Sequence, residues 1–141
     1  MGTGYTYKCG CKDPSPIMLG RGMLYANICR ETWNDILNGE YGPGWARAAR
    51  MHPEGGLDCE NTLYLCECGH WEVDTRKTMW EKGNADHSKS NLPRNRALKK
   101  SRHKCPECGG RMRVAKLEED TLRCPVCSEV MTDLMPTIKW D

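Results

Sequence analysis

The chemistry of this sequence lies in its cysteines, ten in 141 residues. Cys105-Pro106-Glu107-Cys108 and Cys124-Pro125-Val126-Cys127 are two Cys-x-x-Cys pairs with fifteen residues between them. Two intervening residues make a tight knuckle that aims both sulfurs at one point. Its backbone N–H groups point back at the thiolates. Two such knuckles supply four soft ligands at tetrahedral angles, which suits Zn²⁺. The spacing therefore predicts one zinc held by Cys105, Cys108, Cys124 and Cys127. Between them, Arg111–Val114 alternates, Lys116–Asp120 is polar enough to turn, and Thr121–Arg123 returns, so a hairpin is expected. A pair of redox dithiols is the competing reading. Two matched pairs at this distance exceed what redox chemistry needs.

A second set is Cys9-x-Cys11 with Cys66-x-Cys68, each following a strand-like run, Tyr5–Lys8 and Leu63–Leu65. Gly69 follows Cys68 as Gly109 follows Cys108. This reads as an internal repeat of the ribbon plan with a long insertion between its halves. One zinc on these four cysteines brings the expected total to two ions. His70, Cys59 and Cys29 are the alternative ligands there. Otherwise Cys29 and Cys59 read as small buried hydrophobes, and His70 as a surface strand histidine.

The elements around these knuckles follow from local pattern. Ile17–Leu19 and Met23–Tyr25 are apolar runs. Asn27 resembles an N-cap, Ile28, Trp33, Ile36 and Leu37 fall on roughly one helical face, and Asn38-Gly39 supplies a stop. Pro43 can open a second short helix with Trp45, Ala48 and Ala49 on one side, ended by Pro53. Both helices are expected to cover the first ribbon. His70–Asp74 alternates as a strand. Residues 81–104 carry eight Lys and Arg against Glu81 and Asp86, a local +6 in a chain of net +2. Gly, Asn, Ser and Pro dominate there, so residues 81–102 read as a basic linker, with a basic helix from Arg94 to Lys104. The tail Met131–Asp141 is expected to add a third strand to the C-terminal ribbon and bury Trp140. Two-stranded hairpins alone are marginal.

The expected fold is thus a small, metal-stapled α+β chain. Residues 1–80 form an N-terminal zinc ribbon with a helical insertion at about 27–52, and 103–141 form a C-terminal ribbon. The hydrophobic fraction of 38%, with no Phe, is thin for a large core, and units this small need staples. No apolar run reaches half of the roughly 20 residues of a membrane span. No basic-then-apolar leader opens the sequence, so the cysteines are read as reduced and the chain as cytoplasmic.

The opening Met1-Gly2-Thr3-Gly4-Tyr5-x-Tyr7-x-Cys9, the segment Asn38–Gly42, Cys68-Gly69-His70-Trp71-Glu72-Val73, His103–Cys105 through Cys108–Arg113, and the ending Trp140-Asp141 resemble a group of small bacterial proteins with two zinc ribbons, whose knuckles are of the rubredoxin type. Cys-x-x-Cys is usual in the first ribbon of that group, and this chain is one residue shorter in both knuckles. The resemblance implies metal binding and architecture, and no activity.

No Gly-rich phosphate loop, H-E-x-x-H, G-x-S-x-G or paired-carboxylate motif stands out, and no small-molecule substrate is evident. A zinc held by four thiolates has no open position for water. The sequence thus points to a non-enzymatic interaction protein with a protein or nucleic-acid partner. For nucleic acid, Lys89, Arg94, Arg96, Lys99, Lys100, Arg102 and Lys104 are the phosphate-neutralising candidates. A thiol-dependent enzyme or redox sensor built on Cys29 or Cys59 is the third reading.

Overall fold

β1 (Gly2–Lys8) runs between β2 (Ile17–Gly20) and β7 (Thr132–Trp140), antiparallel to both. A computed structural model describes residues 2–10, 16–21, 25–82 and 96–140 of the chain. It is a small α+β structure, with mostly antiparallel strands and two helices, α1 (Tyr25–Leu37) and α2 (Pro43–Met51). The remaining strands are β3 (Gly56–Leu65), β4 (Trp71–Trp80), β5 (Ala97–Lys100) and β6 (Arg113–Val114). The chain divides into two compact units. One comprises Met1–Met23, Asn61–Thr75 and Arg102–Asp141; the other comprises Leu24–Glu60 and Arg76–Ser101. Each unit is thus assembled from separated segments, whereas the sequence suggested consecutive domains at 1–80 and 103–141.

In the first unit, β1 is longer than its Tyr5–Lys8 run suggested. Gly2 and Gly4 are buried in it with Tyr7. Thr3 lies opposite Leu19 on one side and Lys139 on the other. The tail strand thus pairs with β1, not with the C-terminal cysteine hairpin. Pro136, which cannot donate to a ladder, sits opposite Tyr5 beside a register shift, and such breaks are how an outer strand accommodates proline. The Trp140 side chain lies outside the described residues. The core joins all three segments: Tyr7, Ile17, Leu63, Leu122, Cys124 and Met131, flanked by Leu19, Leu65, Trp71 and Leu134. β6 pairs with β3, Tyr64 opposite Val114 and Leu65 opposite Arg113. The Ala115 N–H donates to the Leu63 carbonyl at 2.8 Å. The sequence suggested that Arg111–Val114 would pair with Thr121–Arg123. β3 competes successfully because its apolar residues let Met112 and Leu122 be buried, 4% and 1% exposed. The polar turn forms as expected. Arg113 holds both oxygens of Asp120, at 2.6 and 3.0 Å, and the Lys116 N–H donates to Asp120 at 2.7 Å.

In the second unit, α1 faces inward through Cys29, Thr32 and Ile36, with Trp33 packed beside them. That is the i, i+3, i+4, i+7 stripe of an amphipathic helix. Of the expected face, Trp33, Ile36 and Leu37 pack on this core, while Ile28 is exposed. Gly39, at φ 86°, ends the helix as anticipated. Pro43 opens α2, and the Arg50 guanidinium donates to the Leu37 carbonyl at 3.1 Å, a cation at a helix C-terminus. Ile36, Ala49, Leu57 and Met79 form the core with Trp45, Ala48 and Leu98 beside them. The helices therefore pack on the Gly56–Glu60 and Arg76–Trp80 portions of β3 and β4, and their core contains none of the knuckle cysteines. The basic helix expected over 94–104 is instead β5, with Met79 opposite Lys99 and Thr78 opposite Lys100. Leu98 explains the change: a strand lets it reach the core while the backbone pairs with β4. Arg96–Ser101 accordingly belong to a folded unit, and 83–95 of the expected linker lie outside the described residues.

Gly55 marks a tight backbone approach. A Cβ there would lie 2.8 Å from the Trp80 carbonyl, 2.9 Å from the His52 carbonyl and 3.2 Å from the Trp33 ring. Backbone cannot yield as a side-chain tip can. Gly55→Ala is expected to destabilise the second unit by about 1–3 kcal/mol, measured as a lower urea midpoint in the tryptophan emission. An unchanged midpoint would refute this packing.

Candidate metal centres

The knuckle turns share one hydrogen-bonding plan. At Cys105, the N–H donates to the Gly110 carbonyl and the carbonyl accepts from Gly109, both at 2.8 Å. At Cys124, the N–H donates to Glu129 at 2.8 Å and the carbonyl accepts from Ser128 at 2.9 Å. Cys66 repeats this with His70 at 2.8 Å and Gly69 at 2.9 Å. Cys66-x-Cys68 is therefore the same turn made one residue shorter. The residue after each second cysteine has positive φ: Gly69 95°, Gly109 73° and Ser128 60°. Glycine adopts this region at no steric cost. Ser128 was not recognisable as the equivalent residue because its side chain hides the role.

The sulfurs of Cys66, Cys68, Cys105 and Cys108 all lie within 4.8 Å of one another. Cys66 Sγ is 3.4 Å from Cys108 Sγ, and Cys68 Sγ is 3.7 Å from Cys105 Sγ. A tetrahedral ion with bonds of about 2.3 Å to sulfur sets its ligands roughly 3.8 Å apart. The four thiols thus fit a four-sulfur metal site. Cys66 and Cys105 are buried, Cys68 and Cys108 exposed. The second group is Cys9, Cys124 and Cys127, again with sulfurs within 4.8 Å. Cys11 lies outside the described residues. The expected partnership is therefore exchanged. Cys105 and Cys108 join Cys66 and Cys68, and Cys124 and Cys127 join Cys9. The reason is the strand pairing. β6 against β3 carries Cys105–Cys108 to the end of the β3–β4 hairpin, and Cys124 shares a core with Tyr7, just before Cys9.

The first cluster has a supporting layer. The His103 ring stacks on Tyr64 with centroids 4.6 Å apart. Its Nε2 lies 2.6 Å from Glu72 Oε1 and its Nδ1 3.2 Å from Asp74 Oδ2. Its carbonyl accepts from the Met112 N–H at 2.9 Å. His103 thereby fixes the approach to Cys105 from two strands. It was missed because it sits in a basic run, and its partners are 31 and 29 residues away. His70 joins neither cluster; its Nε2 is 4.0 Å from Glu72 Oε2. Cys29 and Cys59 also join neither, and lie buried in the second unit.

Without an ion the sulfurs compete for protons. The Cys68 N–H draws the Cys66 thiol pKa down, but the Cys108 side chain and burial prevail and push it up to about 12. Burial acts against ionisation of Cys105, yet the N–H groups of Cys108 and Glu107 leave it below the ordinary value. A bound cation removes this conflict and displaces the protons. Of the basic residues, Arg96, Lys99 and Lys100 belong to the second unit and Arg102 and Lys104 to the first. Lys89 and Arg94 lie outside the described residues. Arg96 Nε is 3.9 Å from Glu81.

Paired substitutions separate the two ways of grouping. Cys68→Ser with Cys108→Ser is expected to cost one metal ion, because both changes fall in one cluster. Cys108→Ser with Cys124→Ser is expected to cost both. Native mass spectrometry counts the ions, and the reverse pattern would restore the consecutive grouping. Acid supplies a second check. Asp120 is held down to about 2 by Arg113 and then by the Lys116 N–H. Its contribution to stability is therefore complete above the ordinary 3.8 and is lost only as pH falls through about 2. Protonation of the sulfurs comes first. On acid titration, loss of metal and of structure in the first unit should coincide well above pH 3.8, and Asp120→Asn should leave that midpoint unchanged.

No family model, curated protein or solved structure matches the chain; it is a small α+β protein that has, among the described residues, two groups of cysteines that can hold metal ions.

Proposed function

We propose that this is a non-enzymatic interaction protein whose recognition surface is held in place by two structural Zn²⁺ ions. The first ion would be held by Cys66, Cys68, Cys105 and Cys108, the second by Cys9, Cys11, Cys124 and Cys127. The observation that carries this reading is the all-sulfur character of the first cluster. Four thiolates complete a tetrahedral shell and leave no position for a water or substrate, as a catalytic zinc requires. Such a site supplies folding energy, about 10–16 kcal/mol in zinc-finger peptides.

A protein partner is favoured by the first unit's surface. Val126, at the tip of the Cys124–Cys127 knuckle, is 82% exposed, and Val130 and Met135 are also exposed. A rigid knuckle presenting apolar side chains loses little entropy on docking. Nucleic acid is the second reading, supported by Lys99 and Lys100 on β5 and by Arg102 and Lys104. Phosphate binding requires a gel shift at low salt that fades as salt rises and weakens when Arg96, Lys99 and Lys100 are replaced. Absence of any low-salt shift would remove that reading.

Metal removal tests the structural role. Chelation is expected to raise backbone hydrogen exchange by orders of magnitude at Asn61–Thr75 and Arg102–Val130, with smaller changes in α1 and α2. Unchanged exchange in the first unit after complete metal loss would contradict the proposal.

A further inference from the structure

Two cysteines stand apart from both sulfur clusters and face each other. Cys29 lies on α1 and Cys59 on β3, 4% and 3% exposed. They share the apolar cluster formed with Ile36, Leu57 and Met79. The Cys59 thiol is hydrogen-bonded to Cys29, so the sulfurs meet across the seam between helix and strand. The helix presents Cys29 on the same stripe as Ile36, two turns away, and the strand presents Cys59 on the same face as Leu57, two residues away. Neither of the sulfur groups that fit a metal lies in this unit. Its core is small, the condition under which small folds rely on staples.

We propose that Cys29 and Cys59 form a reversible disulfide, a covalent latch between α1 and β3 that closes on exposure to a low-molecular-weight disulfide. The exchange balances in two steps. One protein thiol, as thiolate, attacks a sulfur of the small disulfide, forms a mixed disulfide and expels one small thiolate. The second protein thiol, losing its proton, attacks the mixed disulfide and expels the other. Two protein S–H bonds are lost, one S–S bond forms, and the small disulfide leaves as two thiols. Two electrons pass to it. The contact with Cys29 and burial hold the Cys59 thiol well above its ordinary pKa. Thiolate is therefore scarce while the unit is closed, and the reaction proceeds through openings of α1. Once closed, the latch restricts the loop from residue 30 to 58 in the unfolded state.

The test uses the full chain loaded with zinc, with free zinc present so that the clustered cysteines stay ligated. Oxidised glutathione is the probe. After incubation, the remaining thiols are alkylated in denaturant, and intact mass and peptide mapping follow. Weighed under native conditions before alkylation, the chain is expected to be two hydrogens lighter with both ions retained; after alkylation, mapping is expected to link the Cys29 and Cys59 peptides through a bridge that reverts with reductant. Hydrogen exchange in α1 should slow at least tenfold. Cys59→Ala should give no such product, and Cys29→Ala serves as the second variant should the first fail to fold. Recovery of both thiols in alkylated form, separate glutathione adducts on each, or a bridge to a clustered cysteine would overturn the proposal. So would a Cys29–Cys59 bridge that leaves α1 exchange unchanged.

Discussion

Four cysteine sulfurs drawn within 4.8 Å set the terms for this molecule. As thiolates they would repel one another, and as thiols they make weak contacts that return little for the chain entropy spent in gathering them. A divalent cation resolves both problems, because it neutralises the charge and replaces weak contacts by bonds. The knuckle N–H groups, the stacked His103 and the apolar side chains beneath Cys66 and Cys105 are consistent with that role. They orient and shield sulfurs whose own interactions would not hold them.

The consequence for architecture lies in which knuckles meet. Cys66 and Cys68 close the β3–β4 hairpin, while Cys105 and Cys108 lie beyond the second unit's last residues. Cys9 follows β1, while its companions Cys124 and Cys127 lie more than a hundred residues on. Each cluster therefore ties an early segment to a late one, and the pairing of β1 with β7 and of β3 with β6 runs in the same sense. Neither cluster can be assembled from one half of the chain. The second unit follows a different logic. It rests on two helices over parts of β3, β4 and β5, with Ile36 and Met79 fully buried.

Much of the local structure was legible in the residues. The turns at the cysteines, the stop at Gly39, the proline start of α2 and the polar turn at Lys116–Asp120 all follow from short-range chemistry. What was not legible was long-range. Any two knuckles of this kind can make a tetrahedral set, so spacing alone does not choose partners. The choice is made by strand register, which depends on Leu63, Tyr7 and Leu122 finding one core. The same competition turned Ala97–Lys100, within the helix expected over Arg94–Lys104, into a strand, because Leu98 gained a core position and β4 supplied backbone partners. His103 was hidden for a related reason, since nothing near it in sequence announces Glu72 and Asp74.

Cutting the metal-loaded chain between residues 82 and 96 through an inserted protease site, and weighing the products under native conditions, asks whether metal ions join its early and late segments. The expected product is one complex that holds both fragments and two ions and that falls apart on chelation. Two separable fragments, each keeping its own ion, would contradict it.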